Sequence, residues 1–149
     1  MQATLMLSNG ATVRGFIFLS YNSRTHDGPE SVIDLFNGES GFFPFEVLGA
    51  AGAGTVLYNR DHVIFVELAD RAEIRRDAGY DVATRRRVVA TLSNGMPLRG
   101  VVLVARPQGR DRLSDFARGG DAFRYLEGER ATYLVNVRHV LAFTEESLS

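Results

Sequence analysis

Three residue types recur in this chain where they could do chemistry. His62 and His139 close two matching segments, Asn59-Arg60-Asp61-His62-Val63 and Asn136-Val137-Arg138-His139-Val140. An imidazole can carry a proton near neutral pH, ligate a metal or contact RNA. No second histidine or carboxylate sits beside either at ligand spacing, so both are expected to brace turns through their ring nitrogens. His26 has no counterpart. Asp34 and Asp115 also recur, and could act as paired carboxylates across a two-fold; the simpler expectation is that each caps a helical turn or bonds a loop backbone. Arginine is the third type. Arg71, Arg75, Arg76, Arg85, Arg86 and Arg87 cluster mid-chain, and Arg106, Arg110, Arg112 and Arg118 follow. Guanidinium forks suit phosphate and carboxylate. The residues expected to contact a nucleic acid or a partner are Arg85, Arg86, Arg87, Arg138, His139 and His62.

Composition narrows these options. All 17 basic residues are arginine, against 18 Asp plus Glu, for a net charge of -1 in 149 residues. A strong nucleic-acid binder would carry fewer compensating acids. The absence of cysteine removes thiol nucleophiles, disulfides and cysteine metal sites. The glycine-rich stretch Gly49 to Gly54 lacks the Lys-Ser/Thr ending of a phosphate-binding loop. No catalytic constellation is legible, so no enzyme, cofactor or metal is expected. Arg71-Ala72-Glu73-Ile74-Arg75, with Asp115-Phe116-Ala117-Arg118-Gly119-Gly120, approaches the motif pair of PilZ-type cyclic-dinucleotide receptors, but Ala117 stands where that motif has serine. The longest apolar run is Val101 to Ala105, too short to span a bilayer. No charged start followed by an apolar stretch marks a secretory signal, so the expected location is the cytoplasm, with no membrane partner.

The elements that position these residues come in two sets. Leu7-Ser8-Asn9-Gly10-Ala11-Thr12-Val13-Arg14-Gly15 returns as Leu92-Ser93-Asn94-Gly95-Met96-Pro97-Leu98-Arg99-Gly100, with six of nine residues identical at an offset of 85. Asp34, Phe42 and Glu46 return as Asp115, Phe123 and Glu127 at 81, and the Asn-x-x-His segments at 77. Three matches in one order, with shortenings where loops belong, read as duplication. The expected organisation is a first unit at 1–68, an arginine-rich connector at 69–87 and a second unit at 88–149. Each Asn-Gly between alternating runs signals a hairpin. Third strands are expected near Phe42 to Leu48 and Phe123 to Leu126. Closing pairs are expected at Thr55 to Tyr58 with Val63 to Leu68, and at Thr132 to Val135 with Val140 to Thr144. Gly15 and Gly100 are expected to let the second strand of each unit bend.

The spacing Asn-Gly-x-x-apolar-x-Gly, at Asn9 to Gly15 and Asn94 to Gly100, resembles the first motif of Sm-like proteins, in particular their bacterial Hfq-type branch. The closing segments Leu57 to Val63 and Leu134 to Val140 are similar to that family's second motif. Arg138-His139 matches its RNA-contacting basic pair loosely, and Asp61-His62 places an acid there. The stretch between the motifs is longer than the compact fold uses. The resemblance implies a mainly β chain: a tandem duplication of a small, strongly bent antiparallel barrel of Sm-like or SH3-like type, with few short helices. The expected function is a non-enzymatic binding or assembly module that forms a homo-oligomer, or takes a protein partner, through exposed edge strands. The alternative is RNA or single-stranded DNA binding, with Tyr80, Tyr125 or Phe116 as stacking aromatics.

Overall fold

The computed structural model describes residues 1–19, 31–38, 41–49, 54–68, 84–104 and 120–146. They form ten strands and one helix: β1 (Gln2–Leu7), β2 (Thr12–Ile17), α1 (Val32–Gly38), β3 (Phe42–Val47), β4 (Thr55–Asn59), β5 (Val63–Leu68), β6 (Thr84–Leu92), β7 (Pro97–Val104), β8 (Phe123–Glu127), β9 (Thr132–Asn136) and β10 (Val140–Glu145). One 3-10 turn, Arg60–His62, links β4 to β5, and another, Val137–His139, links β9 to β10. The fold is mainly β, and no described helix is long and apolar enough to cross a membrane.

Local chemistry fixes the turns. Gly10 and Gly95 take φ of 89° and 85°, the left-handed conformation that side chains resist. Asn9 Oδ1 accepts the Ala11 N–H at 2.9 Å, and Asn94 Oδ1 accepts that of Met96 at the same distance. Asn59 and Asn136 cap the two 3-10 turns, accepting from Asp61 and Arg138 backbone N–H groups at 3.0 and 3.1 Å. Helix α1 opens on a reciprocal cap. Ser31 N–H donates to Asp34 Oδ2 at 3.1 Å, and Asp34 N–H donates to Ser31 Oγ at 3.3 Å. Asp34 therefore has the capping role expected of it.

The strands lie in one antiparallel sheet in the order β10-β6-β7-β8-β9-β5-β1-β2-β3-β4. The expectation from sequence was a tandem pair of small bent barrels, merged or separate; among the described residues the strands form one ten-stranded antiparallel sheet that does not close. The physical reason lies at its centre. β5 does not turn back onto β4 but pairs with β9, with Phe65 opposite Val135, Val66 opposite Leu134, Glu67 opposite Tyr133 and Leu68 opposite Thr132. The halves are thereby stitched strand to strand. A register shift falls between Met6 and Leu7 in the β1–β5 pair, and between Val140 and Ala142 in the β10–β6 pair. The partners set Ile64 and Leu141 at matching bulges.

Packing reinforces the seam. Leu5, Ile17, Phe43, Phe45, Val66 and Leu68 form a buried cluster that also takes in Phe123, Tyr125 and Leu134 from the second half. A neighbouring cluster joins Val88, Ala90, Leu92, Val102 and Leu126 to Ile64 and Phe65 of the first. Helix α1 spans the halves as well. Asn37 Nδ2 donates to the Phe123 carbonyl at 2.9 Å while its Oδ1 accepts the Phe123 N–H at 2.8 Å. The Phe36 ring packs 4.9 Å from that of Phe123.

Close packing requires glycine at Gly15 and Gly100. A Cβ on Gly15 would run into the Glu46 carbonyl and the Phe45 ring, and one on Gly100 would meet the Leu126 side chain and lie 2.6 Å from the Glu127 carbonyl. The glycines let the next strand pass closely.

Candidate functional site

The residues singled out in the sequence divide between the central seam and an arginine-lined pocket. At the seam, Ser8 Oγ and His62 Nδ1 are 2.9 Å apart, and Ser93 Oγ and His139 Nδ1 are 3.0 Å apart. In each case the serine N–H also donates to the histidine carbonyl, at 2.8 and 2.7 Å. Each imidazole is thus tied to the hairpin of its own half, as its turn-bracing role requires. The second ring nitrogens differ. His139 Nε2 lies 2.7 Å from the Asp61 main-chain oxygen. A carbonyl can only accept, so Nε2 carries the proton, and in the neutral ring Nδ1 accepts from Ser93.

Further contacts cross the same seam. Arg138 lies 3.7 Å from Asp61 Oδ1, with both side chains largely in water. Buried Asn136 donates from Nδ2 to the Val63 carbonyl at 3.1 Å. Tyr133 Oη donates to Glu67 Oε1 at 3.4 Å. Burial raises the Tyr133 phenol above 10.0, and the Glu67 charge and that hydrogen bond push it the same way. The tyrosine is therefore held as a neutral donor.

The arginines of the sequence cluster begin a strand: β6 starts at Thr84, so Arg85, Arg86 and Arg87 follow its alternation. Arg86 faces Glu145 at 3.5 Å. On the other face a pocket of about 660 Å³ is lined by Arg85, Arg87, Arg99 and Arg130 together with Glu127 and Tyr133. Arg85 pairs with Glu127 at 3.4 Å and Arg99 with Glu146. Acids thus share this pocket with the bases. Tyr125, expected to offer an exposed ring for stacking, is buried beneath the sheet, because both faces of β8 are covered. Tyr80, Phe116, Asp115, His26, Arg71, Arg75, Arg76 and Arg106 to Arg118 lie outside the described residues, as does all of the PilZ-like pattern but Gly120.

Sequence reasoning missed Arg60. It is buried, donates from Nε to the Leu35 carbonyl at 3.1 Å and from Nη1 to the Phe42 carbonyl at 2.8 Å, and lies over the Phe43 ring. Its counterpart Val137 was the available signal: an apolar residue at the same turn position marks a partly covered site. The two ends of the sheet were also under-read. β4 and β10 each bond to one neighbour only among the described residues, yet they carry Leu57 at 64% exposure and Leu141 at 70%.

No protein-family model, curated protein or solved structure matches this chain.

Proposed function

We propose that the protein is a non-enzymatic binding and assembly module, made of two tandem copies of a small Sm-like barrel unit, whose open sheet edges take up further strands. What carries this reading is the bond-for-bond correspondence of the halves. The hairpin bonds Leu7 N–H to Ala11 O and Gly10 N–H to Leu7 O recur as Leu92 to Met96 and Gly95 to Leu92, and Arg60 N–H to Gly41 O recurs as Val137 to Ala122. Among the described residues, units that already join through strand pairing leave one strand edge at each end of the sheet, β10 and β4. Such an edge presents unpaired main-chain donors and acceptors to any strand of matching register. Light scattering at micromolar concentration tests it. Particles heavier than the 16.4 kDa chain are expected, alone or with a strand-donating partner; a 16.4 kDa particle under every condition refutes assembly.

A second reading, RNA or single-stranded nucleic-acid binding, is favoured by one observation, the gathering of Arg85, Arg87, Arg99 and Arg130 around one pocket. Titration with a labelled mixed-sequence oligonucleotide at low salt, where electrostatic affinity peaks, tests this. Absence of binding there ends it.

A further inference from the structure

We propose that the arginine-lined pocket of the second half is a binding site for a small organic phosphate monoester. This goes beyond the assembly reading and is independent of it. It also assigns the pocket's arginines to a small molecule in place of a nucleic acid. The pocket occupies about 660 Å³, within the range of small-ligand sites. Pairing of β6 with β7 sets Arg85 opposite Leu103, Arg87 opposite Val101 and Val89 opposite Arg99. Residues directly opposite, or two apart on one strand, share a face. Arg85, Arg87, Arg99 and Val101 therefore project together, away from the buried Val88, Ala90 and Val102.

Two of the four cations are already balanced and two are not. Arg85 pairs with Glu127, and Arg99 with Glu146. The guanidinium groups of Arg87 and Arg130 have no hydrogen-bond or ion-pair partner among the described residues. Two such forks suit the terminal oxygens of one phosphate, which accept from bidentate donors. A polymer of phosphates needs a basic stripe that continues past the pocket. Here Glu127, Glu129 and Glu146 stand among the bases, so the positive charge is local. The remaining wall is apolar and firmly held. The Tyr133 ring rests on Gly128, where a Cβ would lie 2.8 Å from it, and packs edge-on against Phe65 with centroids 5.4 Å apart. That ring and Val101 give a carbon skeleton a surface to lie on.

Comparison of the halves separates what the fold requires from what it does not. Gln2 pairs with Phe16 as Arg87 pairs with Val101. Val56 pairs with Phe45 as Tyr133 pairs with Leu126. In the same registers Arg14, Gly15 and Glu46 stand where the pocket has Arg99, Gly100 and Glu127. Those three positions belong to the scaffold that both halves share. The others differ. The first half has Gln2 for Arg87, Phe16 for Val101 and Val56 for Tyr133. The second half therefore carries a cation and a hydroxylated ring where its twin has neither, and a smaller side chain where its twin has phenylalanine. All three differences make the site more polar or roomier, and strand pairing of the same kind proceeds without them.

Phenyl phosphate is the probe, titrated against the full chain in phosphate-free buffer at low salt and followed by calorimetry and phosphorus NMR. One molecule per chain is expected, held about tenfold more tightly than inorganic phosphate because its ring is buried. Arg87→Gln, which installs the first half's residue, should weaken binding by about tenfold or more. Val101→Phe should weaken it by filling the space, and Arg86→Gln, on the other face of β6, should leave it unchanged. Thermal midpoints near that of wild type show that each variant is folded. Arg130→Gln, in the β8–β9 turn, gives a second arm that disturbs no strand. No binding, or equal affinity in wild type, Arg87→Gln and Arg130→Gln, overturns the site. Phenyl phosphate and inorganic phosphate held alike overturn the organic ester. A mixed-sequence oligonucleotide that binds through the same arginines and is not displaced by phenyl phosphate overturns the small-molecule assignment and leaves the nucleic-acid reading standing. Particle mass, measured on the same samples, reports on assembly separately.

Discussion

His139 Nε2 sits 2.7 Å from the main-chain oxygen of Asp61, 78 residues earlier in the chain. His62 makes the same serine contact as His139 within its own half, but its Nε2 has no partner among the described residues. In a dilute, unassembled chain, His139→Ala should therefore destabilise by about 1 kcal/mol, the worth of one net hydrogen bond, and His62→Ala by less. Urea denaturation checks this; equal losses in the two variants would refute it.

Gly15→Val and Gly100→Val should each destabilise by at least about 2 kcal/mol, because the new Cβ would enter the space of the Glu46 carbonyl or the Leu126 side chain. Each new Cβ also meets a main-chain oxygen, Glu46 at 2.0 Å and Glu127 at 2.6 Å, so Gly15→Val, the closer clash, should be the more severe. Thermal midpoints equal to wild type in both variants would refute the close-approach account.

Arg60→Ala leaves the Leu35 and Phe42 carbonyls without its guanidinium donors, at a cost of about 2 to 4 kcal/mol. Because Leu35 lies in α1, the loss should show first as faster amide exchange in that helix. Unaltered exchange in α1 would separate Arg60 from helix anchoring.

Alkaline pH should weaken the fold through Tyr133. Its folded-state value is raised above 10.0, by burial first and then by Glu67. The sign follows from linkage: the folded protein holds the phenolic proton more tightly, so the stabilisation is complete below pH 10.0 and is lost as pH climbs through the folded value. Tyr133→Phe should flatten that part of the stability curve. An identical alkaline slope in the variant would show that other groups set it.

The strands are largely legible in the sequence. Asn-Gly dipeptides and alternation located the β1–β2 and β6–β7 hairpins, and the repeated Asn-x-x-His segments located the closing pairs, because turn chemistry and side-chain period are local properties. The order of strands across the seam was hidden, since pairing of β5 with β9 is decided by which edge of one half fits which edge of the other. The same limit explains Tyr125: a short strand does not reveal that both its faces are covered. Arg60 was obscure for another reason, since an arginine between Asn59 and Asp61 reads as a solvated turn until the carbonyls beneath it are in view.

The clasp of Asn37 on the main chain of Phe123 binds the halves independently of the peptide that links them. A chain nicked between residues 69 and 83 should therefore stay a single particle under native conditions, melt as one unit, and allow fragments 1–68 and 84–149, made apart, to find each other when mixed.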